Sequence, residues 1–365
     1  MGAAATSVVR SPRLPANTFT IAGAVLFMIV VAVFTGEQDF KLGAFWVIGI
    51  AFGVILQRSR LCFAGAFRDL IMSGDGRLMR AIIVGLAVTT IGFAMLMSRF
   101  VPDPSFNTLP PGAHIQPVGY ATIVGGVMFG IGMVLAGGCV TGTLWRMGEG
   151  YLNSWVAMGG ILVGLWAASK TWDWWYDNDI SKRDATWLPT RLGMTGSILL
   201  TLGVLAAIYL AILWWEYRSP RLPEPKSKPA PQAFTATDYL RNGWNAVFGG
   251  KGWSYLTGAV ALGVLSIIAY NLQSPLGVTG GLALWADNAA KAVNAGGLPL
   301  KGGDMLAGCT SAAGGADWLT IRTTTMAGLV IGAFTASVLS GEFKIRFSRK
   351  VARYPQVVVG GAAMG

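Results

Sequence analysis

The sequence predicts an all-α polytopic membrane protein, on three observations. Of its 365 residues 53% are apolar, and the mean hydropathy is +0.54. Only 12% are charged, about half the share found in soluble domains. The apolar residues also gather in runs close to the ~20 residues that a helix needs to cross a bilayer. Eight such runs lie near 18–36, 42–57, 78–98, 119–136, 152–169, 194–215, 253–271 and 322–341. A further run opens at Val357 and is too short at Gly365 to cross. The expected architecture is about eight to nine transmembrane helices plus short re-entrant Gly/Cys segments in an inverted pseudo-two-fold repeat.

Residues 1–17 carry Arg10 and Arg13, but the apolar stretch that follows is too long for a signal-peptide core, so it reads as a retained first helix. Orientation follows from where Lys and Arg collect in short loops. Residues 216–251 contain Arg218, Arg221, Lys226, Lys228, Arg241 and Lys251 with five prolines, which predicts an extended cytoplasmic linker. Loop 99–118 has Arg99 alone as its basic residue, and loop 170–193 mixes charges with Trp172, Trp174, Trp175 and Trp187, an aromatic belt on the outer side. The N-terminus is thereby expected in the cytoplasm. Most of the net charge of +11 is then positive-inside anchoring, and no nucleic-acid partner is expected.

The linker separates a first membrane repeat, 1–215, from a second, 252–365. In the first, Ser59–Ala66 with Cys62 precedes a helix near Arg77; in the second, Ala307–Gly315 with Cys309 precedes a helix near Arg322. Later, Ile123–Gly130 is echoed by Val358–Gly365, so the second repeat reads as incomplete at its C-terminus, with a further Gly-Cys motif expected after Gly365. One span leads outward from the linker, so the Cys309 stretch enters from the outer face, whereas those of Cys62 and Cys139 enter from the inner face. Broken segments that meet at the midplane of an inverted repeat surround a substrate path.

One histidine, His114, and three cysteines without a C-x-x-C pair support neither two-His metal motifs, nor a disulfide framework, nor a cysteine-rich zinc site. His114 lies between Pro111 and Pro117 and reads as a solvated loop residue. Gly130-Ile131-Gly132 lacks the third glycine of the dinucleotide fingerprint, and no cofactor is expected. The pairs Gly49/Gly53, Gly126/Gly130, Gly160/Gly164 and Gly328/Gly332 let helix backbones approach closely.

Gly137-Gly138-Cys139-Val140-Thr141-Gly142-Thr143 opens a short helix with small residues, leaving backbone N–H groups and the positive end of the dipole for an anion. Cysteine there adds a polarizable sulfur and a weak S–H donor. A single buried cysteine is ordinarily an apolar filler; all three here occupy the same kind of Gly-rich break, which favours chemistry. Arg58, Arg60 and Arg68 flank Cys62 and Arg146 follows Cys139, making the inner mouth basic. Asp69 and Glu149 are expected to pair with Arg68 and Arg146 and permit their burial. Interfacial anchoring explains the same arginines equally well.

Leu56–Asp69 around Cys62, and Ala136–Gly150 around Cys139 with its Gly-Gly-Cys, Arg146 and Gly148-Glu149-Gly150, resemble the two signature stretches of the YeeE/YedE family of inner-membrane sulfur-transport proteins. The resemblance implies uptake of thiosulfate or a related small sulfur-containing anion through an hourglass-shaped, pseudo-symmetric helical protein. It implies a central path of cysteines that contact the ion by S–H to sulfur hydrogen bonds, and a small TusA-like sulfur-carrier protein as a cytoplasmic partner. Cys62 and Cys139 match the first two path cysteines. Cys309 matches the earlier Gly-Cys motif of the second half, whereas the family's third path cysteine comes from the later one. The expected path residues are Cys62, Cys139, Cys309, Gly138, Thr141, Arg68 and Arg146, with no enzymatic role. A membrane sulfurtransferase or thiol-redox component that forms a cysteine persulfide, and a selenium-compound transporter, are the alternative readings.

Overall fold

A computed structural model describes residues 40–106, 109–110, 112–218, 252–292, 301, 320–348 and 350–365, with Asp39 and scattered positions between 23 and 36. Most of the first expected span, most of the linker and Cys309 lie outside the described residues. Those residues form eleven α-helices: α1 Phe40–Ser59, α2 Phe63–Ser73, α3 Arg77–Phe100, α4 Tyr120–Ala136, α5 Val140–Gly148, α6 Leu152–Asn178, α7 Pro189–Arg218, α8 Tyr255–Leu272, α9 Thr279–Ala292, α10 Ile321–Leu339 and α11 Arg353–Met364. Among the described residues there is no strand, only a single parallel bridge between Tyr151 and Arg346.

Seven segments are long and apolar enough to cross a membrane: Phe40–Ser73, Arg77–Phe100, Tyr120–Gly148, Leu152–Lys182, Pro189–Arg218, Tyr255–Leu272 and Ile321–Leu339. They coincide with seven of the eight runs read from the sequence. Local chemistry sets their ends. The Asp39 carboxylate accepts the Lys41 N–H at 2.9 Å at the start of α1, and Ser254 Oγ accepts the Thr257 N–H at 3.0 Å at the start of α8.

Small residues decide which helices meet. Side chains added at Gly49 and Gly53 of α1 would strike the Thr325 and Leu329 carbonyls of α10. In return, one at Gly328 would come within 2.8 Å of the Trp46 carbonyl oxygen, and one at Gly332 would strike Ile50. The residue order shows that α1 and α10 run parallel with backbones nearly touching, the close approach that glycine permits. The same relation joins α3 to α8, where Gly85 faces the Ala259 carbonyl and Gly263 faces that of Gly85. Against α1, however, α8 runs antiparallel: Trp253 N–H donates to the Arg58 carbonyl at 2.8 Å, and Phe45 and Ile48 pack on Ala269 at the opposite end. Exchanging α1 and α3 with α8 and α10 therefore maps one pair onto the other with direction reversed, an inverted repeat.

The glycine expectation needs one correction. Gly160 and Gly164 of α6 meet the Val358 and Ala362 carbonyls of α11, but nothing described lies within 4 Å of a side chain added at Gly126 or Gly130. On α4 it is Gly132 that admits Gly360 and Met364. Periodicity places several glycines on one helix without telling which of its faces meets protein.

Candidate functional site

The chain breaks twice where cysteine stands between a long helix and a short one. After α1, Arg60 takes the left-handed conformation with φ 53°, and its N–H returns to the Leu56 carbonyl at 2.7 Å. Cys62 follows in extended conformation as the N-cap of α2, its sulfur making no capping bond there. After α4, Gly137 supplies a left-handed φ of 77°, and the N–H groups of Gly137 and Gly138 both donate to the Met133 carbonyl, at 3.0 and 3.1 Å. Cys139 then caps α5, and its sulfur accepts the Gly142 N–H at 3.3 Å.

These breaks meet. The sulfurs of Cys62 and Cys139, 77 residues apart in sequence, lie 3.9 Å from one another. Gly142 permits the contact, because a β-carbon there would stand 2.9 Å from Cys62 Sγ and 3.3 Å from Cys139 Sγ.

Both thiols and Thr141 open onto a cavity of about 290 Å³ between α1, α3 and α8, with Phe52, Leu86 and Leu262 among its apolar walls and Thr89 and Ser266 among its hydroxyls. Leu276, between α8 and α9, also lines it. The same residue lines a second, much smaller cavity of about 20 Å³, together with His114, Ser274 and Arg322. That volume holds about one water. His114 is exposed there, as expected of a loop residue.

Arg146 departs from expectation. Its Nη1 donates to the Gly137 carbonyl at 2.6 Å, and its guanidinium lies 5.3 Å from the Trp145 ring centre. It does not pair with Glu149. Helical side chains lean toward the N-terminus, which carries Arg146 back over the break before α5. Glu149, in the turn between α5 and α6, faces away toward α1 and the segment after α10. It accepts from Gln57 Nε2 at 3.0 Å and pairs with Arg346 at 3.3 Å, itself 1% exposed. Gln57 also donates to Glu342 at 2.9 Å, and Arg60 pairs with Glu342 at 3.2 Å. Burial pushes the Glu149 carboxyl above the usual carboxylate range, opposed by the Gln57 hydrogen bond and by Arg60 and Arg346.

Arg68 does pair with Asp69, at 2.8 Å, but its side chain is 65% exposed and the pair lies outside the cavity lining. Of the expected path residues, Cys62, Cys139 and Thr141 therefore line one cavity. Gly138 is buried beside the Arg146 guanidinium, Arg146 holds the break, and Arg68 stands apart. Thr89, Ser266 and Leu276 escaped the sequence reading, and Gly142 entered it only as one of the small residues opening α5. Gly142 was legible in principle, since Gly65 and Gly142 each follow their cysteine by three residues.

Apolar walls, a few hydroxyls and two thiols at the starts of short helices make a place for a weakly hydrated, polarizable anion. Broken apolar helices in an inverted repeat around such a cavity define a polytopic membrane transport protein. The chain belongs to the sulphur-transport family, whose model matches residues 58–365. It is 31% identical over 225 residues to "Probable transporter YedE" of Escherichia coli K12, covering 61% of this chain and 54% of that protein. It is 29% identical over 333 residues to "Thiosulfate transporter TsuA" of Spirochaeta thermophila, covering 87% and 84% of the two chains. With "Thiosulfate transporter TsuA" of Escherichia coli K12 the identity is 26% over 301 residues, covering 82% and 76%. The matched part is thus about half the length of the YedE proteins and most of the TsuA proteins.

Proposed function

We propose that the protein takes up thiosulfate or a related small sulfur-containing anion along a central path lined by Cys62 and Cys139, with Cys309 a further member. The observation that carries this reading is the meeting of two thiols on one cavity in a family of sulphur-transport proteins. Two relatives that align over most of their length bear the name thiosulfate transporter, which favours thiosulfate as the cargo. The anion passes Leu276 from the side of His114 and Arg322 and reaches the thiols. There S–H groups donate weakly to its terminal sulfur, and the polarizable sulfurs replace part of its hydration. No covalent bond forms, so the ion leaves as it came. Arg146 keeps the Cys139 break in shape through the Gly137 carbonyl.

The N-terminus and the linker 216–251 face the cytoplasm in this reading, and a small TusA-like sulfur-carrier protein docks there to receive the cargo. Radiolabelled thiosulfate and purified protein in liposomes test the proposal. Saturable uptake that unlabelled thiosulfate competes and sulfate competes poorly is the expected result. Uptake no faster than in protein-free vesicles refutes it. Retention of the carrier protein by a linker-deleted chain would remove the linker from the docking site.

A further inference from the structure

The Cys62–Cys139 contact has a chemical capacity separate from carrying an anion. Two sulfurs 3.9 Å apart are in van der Waals contact, and a disulfide would need them to close to about 2.05 Å. Few bonds hold the sulfurs themselves. Cys62 makes no capping bond, and Cys139 accepts one long N–H to sulfur bond. Both residues sit in extended conformation in chain breaks, as N-caps tied to the helices that follow through their carbonyls, which accept the Ala66 and Thr143 N–H groups at 2.9 and 2.8 Å, so that the side chains stand outside the helical ladders. Gly142 leaves the space between them empty of side-chain atoms. The cavity of about 290 Å³ that both thiols line admits a small neutral reagent to them.

We propose that Cys62 and Cys139 are a redox modification site, a dithiol that a peroxide-class oxidant converts into an intramolecular disulfide, withdrawing both S–H groups from the cavity. One thiol sulfur attacks a peroxide oxygen, the O–O bond breaks, water leaves and a sulfenic acid remains. The second sulfur then attacks the sulfenic sulfur, the S–S bond forms, the S–O bond breaks and a second water leaves. Two thiols and one hydrogen peroxide give one disulfide and two waters, the two electrons passing from sulfur to peroxide oxygen. A dithiol reductant reverses the change by thiol–disulfide exchange. The inference rests on the geometry of the pair and is independent of which anion the protein carries.

Purified full-length Cys309→Ala protein, which leaves these two cysteines alone, is treated with hydrogen peroxide, denatured in N-ethylmaleimide, digested without reduction and analysed by mass spectrometry. The peptides of Cys62 and Cys139 are expected joined, two hydrogens lighter than their reduced sum, and separated again by dithiothreitol. Maleimide on both cysteines after oxidant, or separate sulfinic acids on each, would overturn the proposal. In Cys62→Ser and Cys139→Ser versions of that protein the remaining cysteine has no resolving thiol, so in at least one of them it should advance to sulfinic acid; thiols left reduced in both would also count against the pairing. Uptake read in parallel on the wild-type chain separates the two ideas. Undiminished thiosulfate uptake by cross-linked protein refutes the cysteine path and leaves the disulfide standing, whereas intact uptake without a cross-link refutes the disulfide alone.

Discussion

Replacing Arg346 by Met tests the charge cluster beside the cysteine breaks. Glu149 is 1% exposed, and its charged partners are the guanidinium of Arg346 at 3.3 Å, which is 19% exposed, and more distantly Arg60. Removing one member of a buried pair leaves the other desolvated and uncompensated, a loss of about 3–5 kcal/mol. The Gln57 amide still donates to Glu149, which places the effect toward the lower end. Arg346→Met also loses the hydrogen bond to the Glu342 carbonyl at 3.3 Å and the stacking over Tyr151 at 4.3 Å. Those losses recur in a Glu149→Gln background, so a double-mutant cycle cancels them and leaves a coupling of about 1–3 kcal/mol. Thermal unfolding in detergent, followed by the fluorescence of the 14 tryptophans, should show Arg346→Met melting several degrees lower in the wild-type background than in the Glu149→Gln one. Burial holds the Glu149 proton more tightly in the folded chain than in the unfolded one, so acidification favours the folded variant. Its deficit should therefore be largest above the raised carboxyl value and shrink as pH falls toward the ordinary carboxylate range. Equal losses in both backgrounds, unchanged by pH, would refute the pairing.

Other substitutions probe the cavity and its supports. Gly142→Ala places a methyl 2.9 Å from Cys62 Sγ, an overpacking cost of about 1–3 kcal/mol; loss of thiosulfate uptake is expected, and wild-type uptake would mean the sulfur contact is dispensable. Ser266→Phe fills the cavity with a ring and should abolish uptake while leaving the melting temperature within a few degrees of wild type, checked by size-exclusion profile and fluorescence melt. Glu216 accepts the Gly76 N–H at 2.8 Å at the start of α3 and pairs with Arg80 at 3.0 Å, so Glu216→Gln should cost about 1–2 kcal/mol, read as a lower melting temperature.

The membrane architecture was legible because apolar run length is a one-dimensional property: seven of the eight runs are the seven long apolar helices described. Cysteines as breaks in helices were legible too, since the Gly-rich stretches around Cys62 and Cys139 are too short to span and too apolar for open loops. What sequence could not supply was contact across the fold. Nothing local says that Cys62 touches Cys139, and the shared glycine three residues after each cysteine does not say what Gly142 makes room for, because both follow from the two breaks meeting. Arg146 and Glu149 illustrate the same limit. Neighbouring opposite charges suggested a pair, but the direction in which helical side chains lean sends one to the Gly137 carbonyl and leaves the other to Arg346, far along the chain. Gly126 and Gly130 share the spacing of Gly49 and Gly53 and meet no described helix.

Uptake of radiolabelled thiosulfate by liposomes that contain wild-type, Cys62→Ala or Cys139→Ala protein at equal density tests the cysteine path most directly. Both variants should be correctly folded and lose most of the wild-type rate. Wild-type rates in both would contradict a path through the paired thiols.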